Sequence, residues 1–222
     1  GITDGCREAG CALIGGEMAE HPGLMHSGDF ELVGFSVGVV DKEDMITGKN
    51  IVPGDAIIGL HSPGLRSNGY SLARKVFFET AKKSIDEPVW DGAEITVAEE
   101  LLRPSVIYTP TILKILEHNP IKSIAHITGG GLPGNINRAL PNNVDAEIFR
   151  ETWKPPKIFT EIQSLGNIDE NEMYKVFNMG IGMVLILDQQ CVDSTTEIVH
   201  SMGLSTTRIG TIRENGSGSV QI

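Results

Sequence analysis

HITGGGLPGNI, the stretch from His126 to Ile136, decides how the rest of the chain is read. An apolar run ending at Thr128 reads as a strand. Gly129, Gly130 and Gly131 then strip the chain of side chains, and a helix is predicted to open on Pro133. Successive residues without a Cβ expose a row of backbone N–H groups, and the positive end of a helix dipole would point at the same place. The unit is therefore suited to an anion, above all a phosphate. A tight strand-to-helix turn with no ligand fits the same residues and stays open. Gly129, Gly131 and Gly134 also satisfy G-x-G-x-x-G, the dinucleotide fingerprint. A helix ending near Leu140 is short for that unit, and His126 and Thr128 are unusual in a first buried strand, so the dinucleotide is the weaker reading.

Outward from this loop, strand-like and helix-like segments alternate. DAIIGLH (55–61), VDAEIF (144–149), IGMVLIL (181–187) and TTRIGTI (206–212) predict strands, with IGMVLIL central. YSLARKVFFET predicts a helix capped by Ser67 or Asn68, with Leu72, Val76 and Phe77 inward. Thr109-Pro110 opens another by the N-cap and N1 rule, with Ile112, Leu113, Ile115 and Leu116 inward. IFTEIQSLG closes at Gly166 and CVDSTTEIVHSMG at Gly203, while Met173, Tyr174 and Phe177 read as core. Near the start, Asp4 to Ala12 reads as the end of a helix, followed by the short apolar run LIGGE. FELVGFSVGVV (30–40) is β-rich, and its larger face, Val33, Phe35, Val37 and Val39, should enter a core. The polar segment Asp41 to Asp55 marks a boundary, giving domains 1–45 and 46–222. The fold class is α+β, an α/β sandwich with helices packed on a mixed sheet.

Composition narrows the function. Of 222 residues, 40% are hydrophobic and 21% charged, as in ordinary globular domains. A net charge of −11 without a Lys/Arg cluster counts against a nucleic-acid partner, and none is expected. No apolar run is long enough to span a bilayer, and IGMVLIL has the length of a buried strand. The chain starts at Gly1 with no visible signal peptide, which predicts a fragment or a processed product. Cys6, Cys11 and Cys191 are odd in number and lack CxxC spacing; buried free thiols and a cytoplasmic location are expected, with the sequon at Asn215 a chance match.

GGEMAEHPG places Glu17, Glu20 and His21 together, a set for Mg²⁺ coordination, phosphate chemistry or acid/base work. Solvated loop carboxylates fit as well. The order E-x-x-E-H matches neither H-E-x-x-H nor H-x-x-E-H, which excludes a zinc hydrolase of those classes. In SPGLRSNGY, Arg66, Ser67 and Asn68 form either a second anion site or a capped helix with a surface arginine. His61, His118 and His200 have no visible partner and read as structural.

GGEMAEHPGLMHSGDFELVGFSVGVV, GLRSNGYSL, HITGGGLPGNINRALP and VFNMGIGM occur in order and at the separations of one family. The chain resembles the C-terminal two-thirds of the phosphoribosylformylglycinamidine cyclo-ligases, or aminoimidazole ribonucleotide synthetases, over essentially its whole length. The resemblance implies ATP- and Mg²⁺-dependent ring closure of formylglycinamidine ribonucleotide in purine biosynthesis. It carries Gly15, Gly16 and Glu17 over as the ATP-side segment, with Glu17 near the phosphates or the metal. It carries Ser67, Asn68 and Gly69, with Thr128, Gly129, Gly130 and Gly131, over as substrate and phosphate contacts. Glu17 and His126 are then the catalytic pair. Arg66 stands where some members have His, and Met18 where the family commonly has Thr. Members also carry an upstream ATP region and dimerise through it. Residues 1–45 would thus be the tail of an ATP-binding, dimerising domain, and the full-length protein a homodimer. The 222 residues alone are expected to keep the second domain's fold, to turn over poorly and to self-associate through Phe30–Val40. The resemblance leaves two alternatives: a sister enzyme of the same architecture, such as formylglycinamidine ribonucleotide synthetase or selenophosphate synthetase, and a non-catalytic nucleotide-binding or dimerisation module.

Overall fold

The computed structural model describes residues 1–214 and 216–222, and the chain divides into two compact units, Gly1–Met45 and Ile46–Ile222. In the first unit, α1 (Ile2–Ala9) ends at Gly10, short of the predicted Ala12. From Phe30 to Val40 the chain enters no ladder. The face expected to be buried, Val33, Phe35, Val37 and Val39, is 80–97% exposed, which corrects the predicted packing. The cause is the lack of a partner. A lone strand leaves its N–H and C=O groups unpaired on both edges, and this unit has no second strand among its described residues. Leu13 and Ile14 of the LIGGE run are exposed too. The thiols are free as expected but not buried: Cys11 is exposed, Cys6 and Cys191 intermediate. The sequon's Asn215 lies outside the described residues.

The second unit begins its sheet with β1 (Ala56–His61), the buried strand read from DAIIGLH. Helix α2 (Tyr70–Arg74) continues into a π-helical turn over Lys75–Thr80, which turns Val76 and Phe77 into the core. The expected cap is absent. Gly69 holds the N-cap position with φ +82° and no side-chain bond, and a Cβ there would lie 2.3 Å from Cε1 of Phe177. Helix α3 (Val97–Leu101) was not foreseen, although Thr96 and Glu99 close a capping box at its start. Helix α4 (Thr109–Leu116) takes its cap from Tyr108 instead of Thr109. Its inner stripe is Thr111 and Ile115, so Leu113 and Leu116 face outward, contrary to expectation.

Strand β2 (Ile121–His126) leads through the glycines into α5 (Gly131–Asn137), which opens two residues before Pro133. Then follow β3 (Asp145–Ile148), α6 (Lys157–Gly166), α7 (Glu170–Val176), β4 (Ile181–Leu187), α8 (Val192–Ser201), β5 (Thr206–Arg213) and a short β6 (Val220–Gln221). Asn167, in the left-handed region at φ +46°, closes α6, not Gly166. Neither α7 nor β6 was read from the sequence.

Among the described residues the sheet has six strands in the order β2-β4-β1-β5-β3-β6, antiparallel except for the parallel β3–β6 pair. It is the mixed sheet of an α+β fold. Alternation along β1 splits the core in two. Ile57 joins Phe77, Ile136, Phe159 and Phe177 on one face, whereas Ala56, Ile58 and Leu60 pack with Ile115 and Val199 on the other. Helices therefore cover both faces. At the sheet edge, buried Asp55 is held by Lys122 (Nζ–Oδ1 2.5 Å) and by the Val52 N–H (2.8 Å), which ties the approach to β1 against β2.

Candidate functional site

β1 and β2 both run antiparallel to β4, so the ends of β1 and β2 and the start of β4 lie at one end of the sheet. This topology gathers three motifs far apart in sequence: SPGLRSNG after β1, HITGGG after β2 and FNMGIG before β4. Backbone bonds join them. Ser62 N–H donates to the Gly180 carbonyl (2.8 Å) and Ile127 N–H to that of Gly182 (3.1 Å). Buried Asn178 donates through Nδ2 to the carbonyls of Gly64 (3.0 Å) and Leu65 (3.1 Å), while its Oδ1 accepts from Gly180 N–H (2.7 Å). NMGIG is the scaffold that holds the other two loops.

The glycine loop is held from beneath by Asn135. This side chain is 6% exposed, and its Nδ2 donates to the carbonyls of Thr128 (3.2 Å), Gly129 (3.3 Å) and Gly131 (2.7 Å). Its Oδ1 accepts from the Thr128 hydroxyl (3.0 Å). A trans peptide points its N–H opposite to its carbonyl, so carbonyls turned inward aim the amides of Gly129 and Gly130 outward. Both glycines are exposed, and among the described residues neither amide has an acceptor. Thr128 thus spends its hydroxyl on the loop's own structure. With seven residues, α5 supplies only a short dipole, so the loop amides are the principal donors offered to an anion.

Ser67 is exposed, and Asn68 lies against the glycine loop, with its Oδ1 3.5 Å from where a Cβ on Gly129 would stand. Ser67, Asn68, Gly69, His126, Thr128 and Gly129–Gly131 are therefore neighbours in one unit. Sequence reasoning missed Asn135. A buried asparagine in a helix that begins with glycine is poorly suited to helix on propensity alone, and that was the available signal.

Arg66 meets His126: Nη2 lies 2.7 Å from Nε2, and the guanidinium stacks 5.2 Å over the Tyr108 ring. The backbone of Arg66 is left-handed (φ +66°), and its carbonyl accepts from the Tyr70 hydroxyl at 3.0 Å. A guanidinium has no acceptor, so Nε2 must accept and the imidazole proton sits on Nδ1. Partial burial, and then the Arg66 cation, push the His126 pKa below its ordinary value. His126 is thus a neutral hydrogen-bond donor at pH 7. A depressed imidazole contributes stability above the unfolded value, about 6.5, which is lost as pH falls through the folded value. Imidazole NMR of the chain should titrate His126 below about 6.5, and Arg66→Gln should raise that midpoint. An unchanged midpoint would remove Arg66 as a contributor and leave burial alone. Of the histidines read as partnerless, His61 is in fact held by Thr207 (Nε2–Oγ1 2.8 Å).

In the first unit, Gly15, Gly16 and Glu17 lie on exposed chain outside helix and ladder, with nothing within 4 Å of a Cβ at either glycine. Glu17 Oε1 accepts from the N–H of Met18 at 3.1 Å. Among the described residues, no three His, Cys, Asp or Glu side chains gather as a metal site, and no helix is long and apolar enough to cross a membrane.

An α+β unit with a glycine loop presented beside a second loop at one end of a mixed sheet defines the class. Residues 52–222 match the family described as AIR synthase related protein, C-terminal domain, and the chain belongs to that family. Its curated relatives include the phosphoribosylformylglycinamidine cyclo-ligase of Alkaliphilus metalliredigens, 45% identical over 100% of this chain and 63% of that protein. That of Syntrophus aciditrophicus is 47% identical over 96% of this chain and 61% of its own length. The chain thus spans less than two-thirds of these relatives. Among solved structures, the thiamine-monophosphate kinase of Stenotrophomonas maltophilia superposes with TM-score 0.56 at 15% identity, covering 82% of this chain and 54% of that one, which shows the shared fold.

Proposed function

We propose that the chain is the C-terminal portion of an ATP-dependent cyclo-ligase that closes formylglycinamidine ribonucleotide to aminoimidazole ribonucleotide in purine biosynthesis. The observation that carries this reading is the 45% identity, across all 222 residues, to a protein of that name. In the reaction ATP phosphorylates the formyl oxygen, so that this oxygen leaves as phosphate when the substrate's own nitrogen attacks the carbon and closes the ring. ADP and phosphate are the other products. A reaction of this kind asks for positioning and charge stabilisation more than covalent help. The outward amides of Gly129 and Gly130 would hold a phosphoryl or ribonucleotide oxygen, flanked by Ser67 and Asn68. His126, kept neutral by partial burial and by Arg66, would donate from Nδ1 instead of acting as a base through Nε2.

Gly15, Gly16 and Glu17 are assigned to the ATP side. Glu17 offers a single carboxylate, and Mg²⁺ needs further oxygen donors that no cluster among the described residues supplies. The exposed apolar face of Phe30–Val40 supports a homodimer in the longer protein, and the purine reading supports a cytoplasmic location.

Aminoimidazole ribonucleotide formation from formylglycinamidine ribonucleotide and MgATP tests the reading. The 222-residue chain would be run beside the chain extended upstream by its native gene. Product is expected only from the extended protein. Product from neither, with both folded, would overturn the proposal.

A further inference from the structure

Beside the glycine loop, and wholly within the second unit, lies a cleft of about 560 Å³ that the function above leaves unassigned. β2 is the sheet's edge strand. That edge is covered at Lys122, whose carbonyl accepts from Gly48 N–H (3.0 Å), and from Ser123 to His126 it lines the cleft. The opposite walls come from Thr47 and Lys49 and from the α5 side, Asn135 and Arg138. The volume suits a small-molecule ligand.

Its charge is the informative feature. The chain carries 29 acidic against 18 basic residues, yet no carboxylate lines this cleft, whereas Lys49, Arg138 and His126 do. Several basic side chains elsewhere are neutralised locally, Lys122 by Asp55, Arg103 by Glu100 and Arg213 by Glu147, but what sets this cleft apart is that its cations line a concave wall with no carboxylate in it. Among the described residues Lys49 and Arg138 have no carboxylate partner, and Arg138 reaches only the amide oxygen of Asn135 (Nη1–Oδ1 3.3 Å). Cations left without counter-charge around a concave wall attract an anion with little competition from the protein itself. Arg66, on the far side of His126, adds to the same field.

We propose that this cleft binds the phosphate-monoester end of a ligand, with Lys49 and Arg138 bracketing the phosphate and His126 at the border with the glycine loop. The inference rests on the cyclo-ligase reading only for which ligand is natural: the 5′-phosphate of a ribonucleotide and the terminal phosphate of a nucleoside triphosphate share the chemistry.

The test is a titration of the ¹⁵N-labelled 222-residue chain with ribose 5-phosphate, with ATP and with ribose. Saturable amide shifts are expected at Lys49, Ser123–His126 and Arg138 with a phosphate ester and not with ribose. The Lys49→Gln/Arg138→Gln double variant should weaken binding at least about tenfold while retaining the dispersed spectrum of the folded chain. A stronger response to ribose 5-phosphate assigns the cleft to the substrate's phosphate, and a stronger response to ATP assigns it to the nucleotide. Unchanged affinity in the double variant, equal shifts with ribose, or no saturable shift overturns the proposal. Turnover by the extended protein is scored separately, so failure of the cleft and failure of the cyclo-ligase reading give different results.

Discussion

Replacing Gly131 with alanine is expected to destabilise the second unit by about 4 kcal/mol, the sum of left-handed strain and overpacking. The residue sits at φ +59°, and a Cβ there would stand 1.8 Å from the Tyr174 carbonyl oxygen and 3.1 Å from that of Phe177. Those are backbone atoms at the end of α7, so no side chain can swing aside. Relief would require the glycine loop to withdraw from α7 and from the Phe177 corner that also packs on Gly69. Urea unfolding compares the variant with Gly134→Ala, which lies in the same helix, has nothing within 4 Å of its Cβ and no positive φ. The control should be neutral or gain up to about 1 kcal/mol from better helix propensity. Equal stability of the two variants would disprove the close loop–α7 packing.

Asn135→Ala carries the second large effect. It strips the Nδ2 donor from the carbonyls of Thr128, Gly129 and Gly131 in a site where that side chain is 6% exposed. The Thr128 carbonyl keeps the Gly131 N–H (3.1 Å), so the expected loss, from the other carbonyls and the stranded Thr128 hydroxyl, is about 2 kcal/mol. Asn135→Asp is the sharper variant. It keeps an oxygen to accept from Thr128 but sets a carboxylate oxygen against the three carbonyls, so it should be at least as damaging. In the extended enzyme, a loop free to turn its amides should lose about 100-fold in kcat/KM, because positioning is what the loop contributes. Wild-type turnover with a destabilised fold would confine Asn135 to structure and remove the loop amides from the proposed site.

Much of this was legible along the chain. Continuous apolar runs in DAIIGLH and IGMVLIL could be satisfied only by strands buried on both faces, and both are. The glycine triplet marked the loop that leaves its amides free. Other readings failed for reasons that local rules do not contain. Phe30–Val40 has ideal strand composition, but a strand exists only with a neighbour, and the first unit offers none among its described residues. Ser67 and Asn68 are good capping residues by type. The approach of Phe177 makes the left-handed Gly69 take their place. Leu113 and Leu116 look inward on a helical wheel, whereas the crossing of α4 over the sheet selects Thr111 and Ile115.

Residue types and their spacing along the chain suffice for the α+β class, the identity of the loop motifs and, through their resemblance, the family. Those depend on periodicity and on residue types at short spacing, which local sterics and hydrophobic burial impose directly. Tertiary packing alone brings three motifs, the first and last of them more than a hundred residues apart, to one end of the sheet, lets Asn135 turn the loop amides outward, and carries Arg66 to Nε2 of His126. Strand order and the antiparallel sense of β4 set those distances, and both are chosen by packing across the whole unit.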